Sequence, residues 1–473
     1  MDLESIRKPL KISIVRPTPS KERLQESEML TLKQIGGSLA GLLSGIALKH
    51  AGHDVTIFEK EDNERQSHMA GVCLGKDGED WLARHDRHSK SLFAQRSTRV
   101  QLLQKDGSLK ILINARRDIS NWDSLYFRLR SLFDGYKSEW YPTAPPNLPR
   151  DGPVSFLPRH EILSLSRVVD HEHPDRVLLG YRDNETCKVS TGEFDLVIAA
   201  DGPNSSVRTR YLPSVERRYV GYVAWRGTVP ESDMSLSARL LFRRSVTVHR
   251  MAGNHHCLVY MIPGKHGSIQ PGERYLNFLW YTNEPASELE SIMTDGVDGH
   301  RHRYIVPAGR VQPQVWEQRV NHARSIPFPA PFLEVISKIE RPFIQLITDY
   351  CSPHAALEYG RILLIGDALS LFRPHTAFSG SQAAYHALRT ADYVNGKIGL
   401  AEWEEKVLRY SALHWSQSMF YGQFYQSYLA VALLYLVYHW AYCFMDWLKA
   451  LWRNEERLLR APSKTVEQYD DFE

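Results

Sequence analysis

Short apolar runs punctuate a mostly polar N-terminal half and read as buried strands. Lys11 to Val15 and Val55 to Phe58 are two such runs, with a helical pattern from Ala40 to His50 between them, closed by Gly52. That order is a βαβ unit. Two later runs, Asp195 to Ala200 and Ile362 to Ile365, end on Asp201-Gly202 and Gly366-Asp367, so each predicts a strand that turns on a carboxylate. From 215 to 340 the pattern changes. Aromatic and β-branched runs such as Tyr219 to Trp225 and Leu276 to Tyr281 alternate with polar turns, predicting a second sheet. The proline-rich stretch 141–153 predicts a surface connection.

The first strand breaks the rule that a buried parallel strand is nearly continuous in apolar residues. Arg16 to Lys33, polar and charged, separates Lys11-Ile12-Ser13-Ile14 from Ile35-Gly36-Gly37. Joining the two pieces would restore the strand. Valine codons begin GT and a glutamine codon can end in AG, so Val15 to Gln34 has the boundaries of a retained intron. The alternative is a real loop with Met29 to Ile35 as first strand, which puts Lys33 and Gln34 where apolar residues belong.

At 473 residues the chain exceeds one hydrophobic core. The divisions expected are 1–214 and 341–410 as two parts of a dinucleotide-binding domain, with 15–34 as the suspected insert, 215–340 as a substrate domain, and 411–473 as a C-terminal hydrophobic helix and polar tail. The formal charge of +3 arises from 58 basic and 55 acidic residues without a basic block, which argues against nucleic acid. Cys73, Cys187, Cys257, Cys351 and Cys443 form no CxxC pair, so neither a disulfide framework nor a metal site is expected. No secretory leader opens the chain, and a cytoplasmic enzyme is expected.

Candidate chemistry sharpens the picture. Gly36-Gly37-Ser38-Leu39-Ala40-Gly41 follows the first strand where a dinucleotide fold wants Gly-x-Gly-x-x-Gly, with Ser38 in place of the second glycine. Glu59, about 20 residues on, can hold ribose hydroxyls, and Lys60 follows it. The run Asp195 to Arg208, through Asp201-Gly202-Pro203-Asn204, resembles the "DG" fingerprint of class A flavoprotein monooxygenases. Gly366-Asp367-Ala368, followed by Arg373-Pro374-His375-Thr376-Ala377, resembles their "GD" fingerprint. Within that class the chain is most similar to the dihydroxypyridine-hydroxylase branch and its fungal relatives, over about residues 35–410. Asn121-Trp122-Asp123-Ser124-Leu125-Tyr126 and the stretch Thr294 to His302 carry this similarity.

The resemblance implies an α/β fold, in which a Rossmann-like βαβ FAD-binding domain carries a sheet-rich substrate domain. It implies FAD as cofactor, NADPH or NADH as co-substrate, and O2 with a small electron-rich aromatic or heteroaromatic ring as reactants. The expected cofactor contacts are Gly36, Ser38, Leu39, Ala40, Gly41, Glu59, Lys60, Asp201, Arg208, Gly366, Asp367, Pro374 and Ala377. His375 is the candidate base, on the strength of an unperturbed pKa near 6.5; a structural histidine is the competing reading. Tyr222, Trp225, Trp280 and Tyr281 are candidates for the ring pocket, with core packing expected for at least half. Two departures stand out. Ala377-Phe378-Ser379 replaces the Gly-x-Gly of many relatives, with Phe378 expected to crowd the flavin edge, and Trp122 takes the place of an arginine on the helix crossing the flavin. Arg128 and Arg130 are read as substitutes for that arginine or as exposed helix charges. Related flavoenzymes that epoxidise, decarboxylate or oxidise, and an inactive product of an unspliced gene, are the alternative functions.

Ser411 to Met445 contains no Asp, Glu, Lys or Arg, and Tyr428 to Met445 is long enough for a helical span. Tyr421, Tyr425 and Tyr428 at one end and Trp440, Trp447 and Trp452 at the other resemble interfacial belts. Lys449, Arg453, Arg457 and Arg460 favour a cytosolic C-terminus, which conflicts with a single span after a cytosolic enzyme. A helix in the plane of the membrane, contacting it through 421–452, removes the conflict; packing on the protein or in a homodimer is the alternative.

Overall fold

The computed structural model describes residues 30–63, 70–88, 93–169, 175–251 and 253–453. A six-stranded sheet forms the dinucleotide-binding part, and its central strand is Thr31–Ile35. On one side it pairs in parallel with Leu196–Ala199 and, beyond that, Ile362–Leu364. On the other it pairs with Asp54–Phe58 and then Val154–Leu157. The helix Leu39–His50 connects the first two strands in the expected βαβ order.

The described first strand is Thr31–Ile35, which matches the alternative the sequence left open. Residues 31–34 are not outside the fold but at its centre, while Lys11 to Val15 and the rest of the suspected insert up to 29 lie outside the described residues. Both polar residues find partners. Lys33 Nζ donates to Thr56 Oγ1 and sits 4.8 Å from the centroid of the Phe194 ring, and burial lowers its pKa. The fully buried Gln34 amide bonds to Gly41 O (2.7 Å), Gly45 N (3.1 Å) and Ser44 Oγ (3.1 Å), tying the strand to the helix behind it. Hydrogen bonding thus replaces the apolar contact that a central strand normally uses.

A ten-stranded, mostly antiparallel sheet forms the second layer. It includes the expected strands Arg218–Pro230 and Tyr275–Asn283, with His255–Ile262 and Phe343–Cys351. It also takes in Gly71–Cys73, Gln95–Leu103 and Leu109–Asn121, from the stretch assigned by sequence to the dinucleotide-binding part. Period-two alternation sorts its side chains. Val223, Trp225, Cys257, Val259, Phe278 and Trp280 face a core shared with helices such as Ala330–Ser337. Tyr222, Ala224, Leu279 and Tyr281 face the other way, toward the first domain.

The helix Ser379–Val394 packs against Leu39–His50, and a long helix, Leu400–Gln426, follows. The long helix runs unbroken through the division expected at 410/411. Leu429–Arg453 then folds back on it.

Candidate functional site

Between the two sheets lies a cleft of about 810 Å³. One end is built by strand ends and helix starts. Gly36 has φ +98°, and a Cβ there would stand 2.4 Å from Ala200 O; a Cβ on Gly41 would stand 2.0 Å from Gly36 O. Only glycine allows the turn to lie this close to the neighbouring strand. The helix Leu39–His50 begins with no side-chain cap, as does Ser379–Val394, and residues at both starts line the cleft. Two helix N-termini therefore present free amide N–H groups to one space, an arrangement suited to pyrophosphate and to an electron-rich ring edge.

The carboxylates are less alike than the sequence implies. Glu59 is buried, lines the cleft and accepts from Gly37 N (2.8 Å) and Glu61 N (2.9 Å), so it also shapes the glycine turn. Asp201 Oδ2 accepts from Ser206 N (2.8 Å) at the start of the helix Ser206–Tyr211, while its buried Oδ1 has no protein partner among the described residues. Asp367 has none for its carboxylate among the described residues and faces the cleft. Its pKa is pushed up to about 6 by burial, with Arg217 and Arg208 acting the other way. Such a carboxylate asks for hydroxyl donors, which a ribityl chain would supply. The residues present fit FAD.

Ser38, Leu39, Ala40, Lys60, Pro374 and Ala377 also line the cleft. Gly41, Gly366 and Arg208 do not. Gly366, at φ +59°, lets its turn approach Ala40, and its N–H donates to His386 Nδ1 (3.0 Å). Arg208 is buried and donates to Pro203 O (2.8 Å), Ala368 O (3.1 Å) and Tyr350 Oη. It staples the two fingerprint turns together and does not line the cleft. Phe378 stacks on His414 at 4.3 Å between centroids. Arg128 and Arg130 are both buried, paired with Asp86 and Asp134, so the reading of exposed helix charges is corrected. Trp122 lines the cleft and stacks on Tyr126 at 4.7 Å.

The other end of the cleft is an aromatic chamber. His375 enters it from the turn Pro374–Thr376, with ring centroids 4.9 Å from Tyr281, 5.3 Å from His256, 5.6 Å from Tyr222 and 6.0 Å from Tyr425. Neither ring nitrogen has a protein partner among the described residues. Burial, reinforced by Arg373, pushes its pKa down to about 3, so it is neutral at physiological pH rather than poised near 6.5. Of the four aromatic candidates, Tyr281 lines the chamber and Tyr222 packs beside it, whereas Trp225 and Trp280 lie in the core behind the sheet. His256, Leu258 and Tyr260 were not singled out from sequence. The alternation in His255–Ile262, with Cys257, Val259 and Met261 in the core, was the available signal. Gln417, Tyr421 and Tyr425 of the long helix form a further wall, which the membrane-like composition of that segment concealed.

In sequence and fold the chain is similar to FAD-dependent monooxygenases. A family model described as FAD binding domain-like matches residues 219–349. The chain is 26% identical to 2,6-dihydroxypyridine 3-monooxygenase of Paenarthrobacter nicotinovorans over 386 residues, 79% of this chain and 86% of that protein. It is 24% identical to an FAD-dependent monooxygenase of Aspergillus terreus, covering 76% of each. The solved structure of 2,6-dihydroxypyridine-3-hydroxylase from Arthrobacter nicotinovorans superposes with a TM-score of 0.71 at 24% identity, over 85% of this chain and 94% of that one.

Proposed function

We propose that this protein hydroxylates an electron-rich aromatic or heteroaromatic ring, using FAD, NAD(P)H and O2. One observation carries the reading: a cleft runs without interruption from the glycine turn and Asp367 into an aromatic chamber with an unpartnered histidine. FAD, reduced by NAD(P)H, supplies the activation of O2. The protein's own part is to hold the ring and exclude water. Tyr281 and Tyr425 offer flat apolar walls, and a neutral His375 can accept a hydrogen bond from a ring hydroxyl, drawing its proton away without carrying a full charge in that buried setting. Replacing His375 with Ala should leave FAD binding and flavin reduction intact while product falls ~10²-fold and H2O2 rises. Parallel loss of reduction and product would mark the histidine as structural, and full coupling would place the proton acceptor elsewhere.

The free thiols suit a cytosolic enzyme, and a specific surface suggests that it sits on a membrane. Leu429–Lys449 is long and apolar enough to cross a bilayer, and only 11% of its most apolar window is buried. Its other face is fastened to the protein: Ser416 Oγ lies 2.9 Å from His439 Nδ1, Tyr442 Oη donates to Arg409 O (3.3 Å), and Asp446 pairs with Arg409. A helix held along its length presents its exposed stripe, including Leu434, Val437, Trp440 and Phe444, to an interface instead of spanning. Lys449 suits anionic headgroups. Co-sedimentation with vesicles containing phosphatidylserine tests this. Dimerisation without vesicle binding would put a second copy there instead.

A further inference from the structure

The long helix ends beside the chamber, and its last residue backs His256 in the chamber wall. Gln426 is buried, its main-chain carbonyl accepts from Asn283 Nδ2 (3.0 Å), and its Nε2 lies 2.7 Å from His256 Nδ1. His256, 1% exposed, lies between Tyr281, at 4.7 Å and 16°, and Tyr425, at 4.3 Å and 21°. This sandwich fixes the plane of the imidazole. With Gln426 Nε2 turned to Nδ1, the amide N–H donates and Nδ1 accepts, which places the ring proton on Nε2. His256 lines the cleft, and Nε2 has no protein partner among the described residues. Buried donors are seldom left unmatched unless a ligand brings the acceptor.

We propose that Gln426 is a positioning residue that sets the tautomer of His256, whose Nε2–H then recognises an oxygen on the substrate ring, as hydroxyl or oxo. This deepens the ring-hydroxylation reading and rests on it. Burial, with His375, Arg250 and His255 nearby, keeps His256 uncharged, so recognition is by a neutral donor whose direction the two tyrosines hold.

Binding of 2,6-dihydroxypyridine and of benzene, which carries no hydrogen-bond acceptor, to the FAD-loaded full chain, followed by perturbation of the flavin spectrum, tests the assignment. In Gln426→Leu the dissociation constant for 2,6-dihydroxypyridine should rise about 10-fold, the scale of one neutral hydrogen bond, with that for benzene unchanged. Gln426→Glu, similar in shape, should lose as much, because its carboxylate draws the ring proton to Nδ1. His256→Phe should show the same loss, and combining it with Gln426→Leu should add nothing. Equal loss for both probes, additive losses, or a Gln426→Glu protein that binds like wild type would overturn the proposal, as would wild-type protein that binds neither probe. Intact discrimination between the probes with no hydroxylated product would count against the reaction and leave the role of Gln426 standing.

Discussion

Asp367 concentrates the cofactor argument in one carboxylate. Removing it by Asp367→Ala should weaken FAD binding about 10- to 150-fold, as expected for losing one or two hydrogen bonds to a charged group; unchanged affinity would show that it does not meet the cofactor. Its pKa, raised to about 6, adds a sign. The free protein holds the proton more tightly than an unfolded chain would, so the charged form costs stability as pH rises through about 6. Hydroxyl donors favour that charged form, so FAD affinity should rise with pH from 5 to 7.5, which fluorescence titration measures; a flat profile would contradict it. Ala377 offers a gentler test. Its φ of 56° lies in the left-handed region, where a side chain costs roughly 1 kcal/mol. Ala377→Gly should therefore raise the thermal midpoint of the apoprotein, and a fall would show that the side chain packs usefully.

Particular elements show what could be read from the chain. Leu39–His50, Asp54–Phe58 and Leu196–Ala199 were legible because each is an apolar run bounded by Gly52, Glu59 or Asp201. Thr31–Ile35 was legible only as an alternative, since its two polar residues are satisfied by Thr56 and by the backbone of a helix, which no local pattern reveals. The cofactor end of the site could be read from its fingerprints. The chamber could not, because its walls come from His255–Ile262, Tyr275–Asn283 and the long helix, brought together only by the fold. A variant lacking 15–34 joins Ile14 to Ile35, which puts Ser13 in place of Lys33 and Ile14 in place of Gln34. If the apolar strand is the native one, that variant should carry more FAD and melt higher, since burying a polar group even with partners can cost ~1 kcal/mol. Lower FAD occupancy would make Thr31–Ile35 the working strand.

At the scale of the whole molecule, two sheets enclose a cleft, and the C-terminal helices both complete its wall and display an apolar face. Changing Leu434, Val437, Trp440 and Phe444 together to Glu should release the protein from phosphatidylserine vesicles while leaving FAD bound, because these side chains point away from the cleft. Cutting the chain before Gln417 should instead damage the chamber itself. The central claim concerns the reaction. FAD-loaded protein should be supplied with NAD(P)H, 2,6-dihydroxypyridine or a related hydroxylated ring, and isotopically labelled O2, and the product weighed by mass spectrometry. The account predicts one labelled oxygen atom on the ring, with the cofactor oxidised in step; oxidation of NAD(P)H that yields only H2O2 across such rings, or product whose added oxygen comes from water, would contradict it.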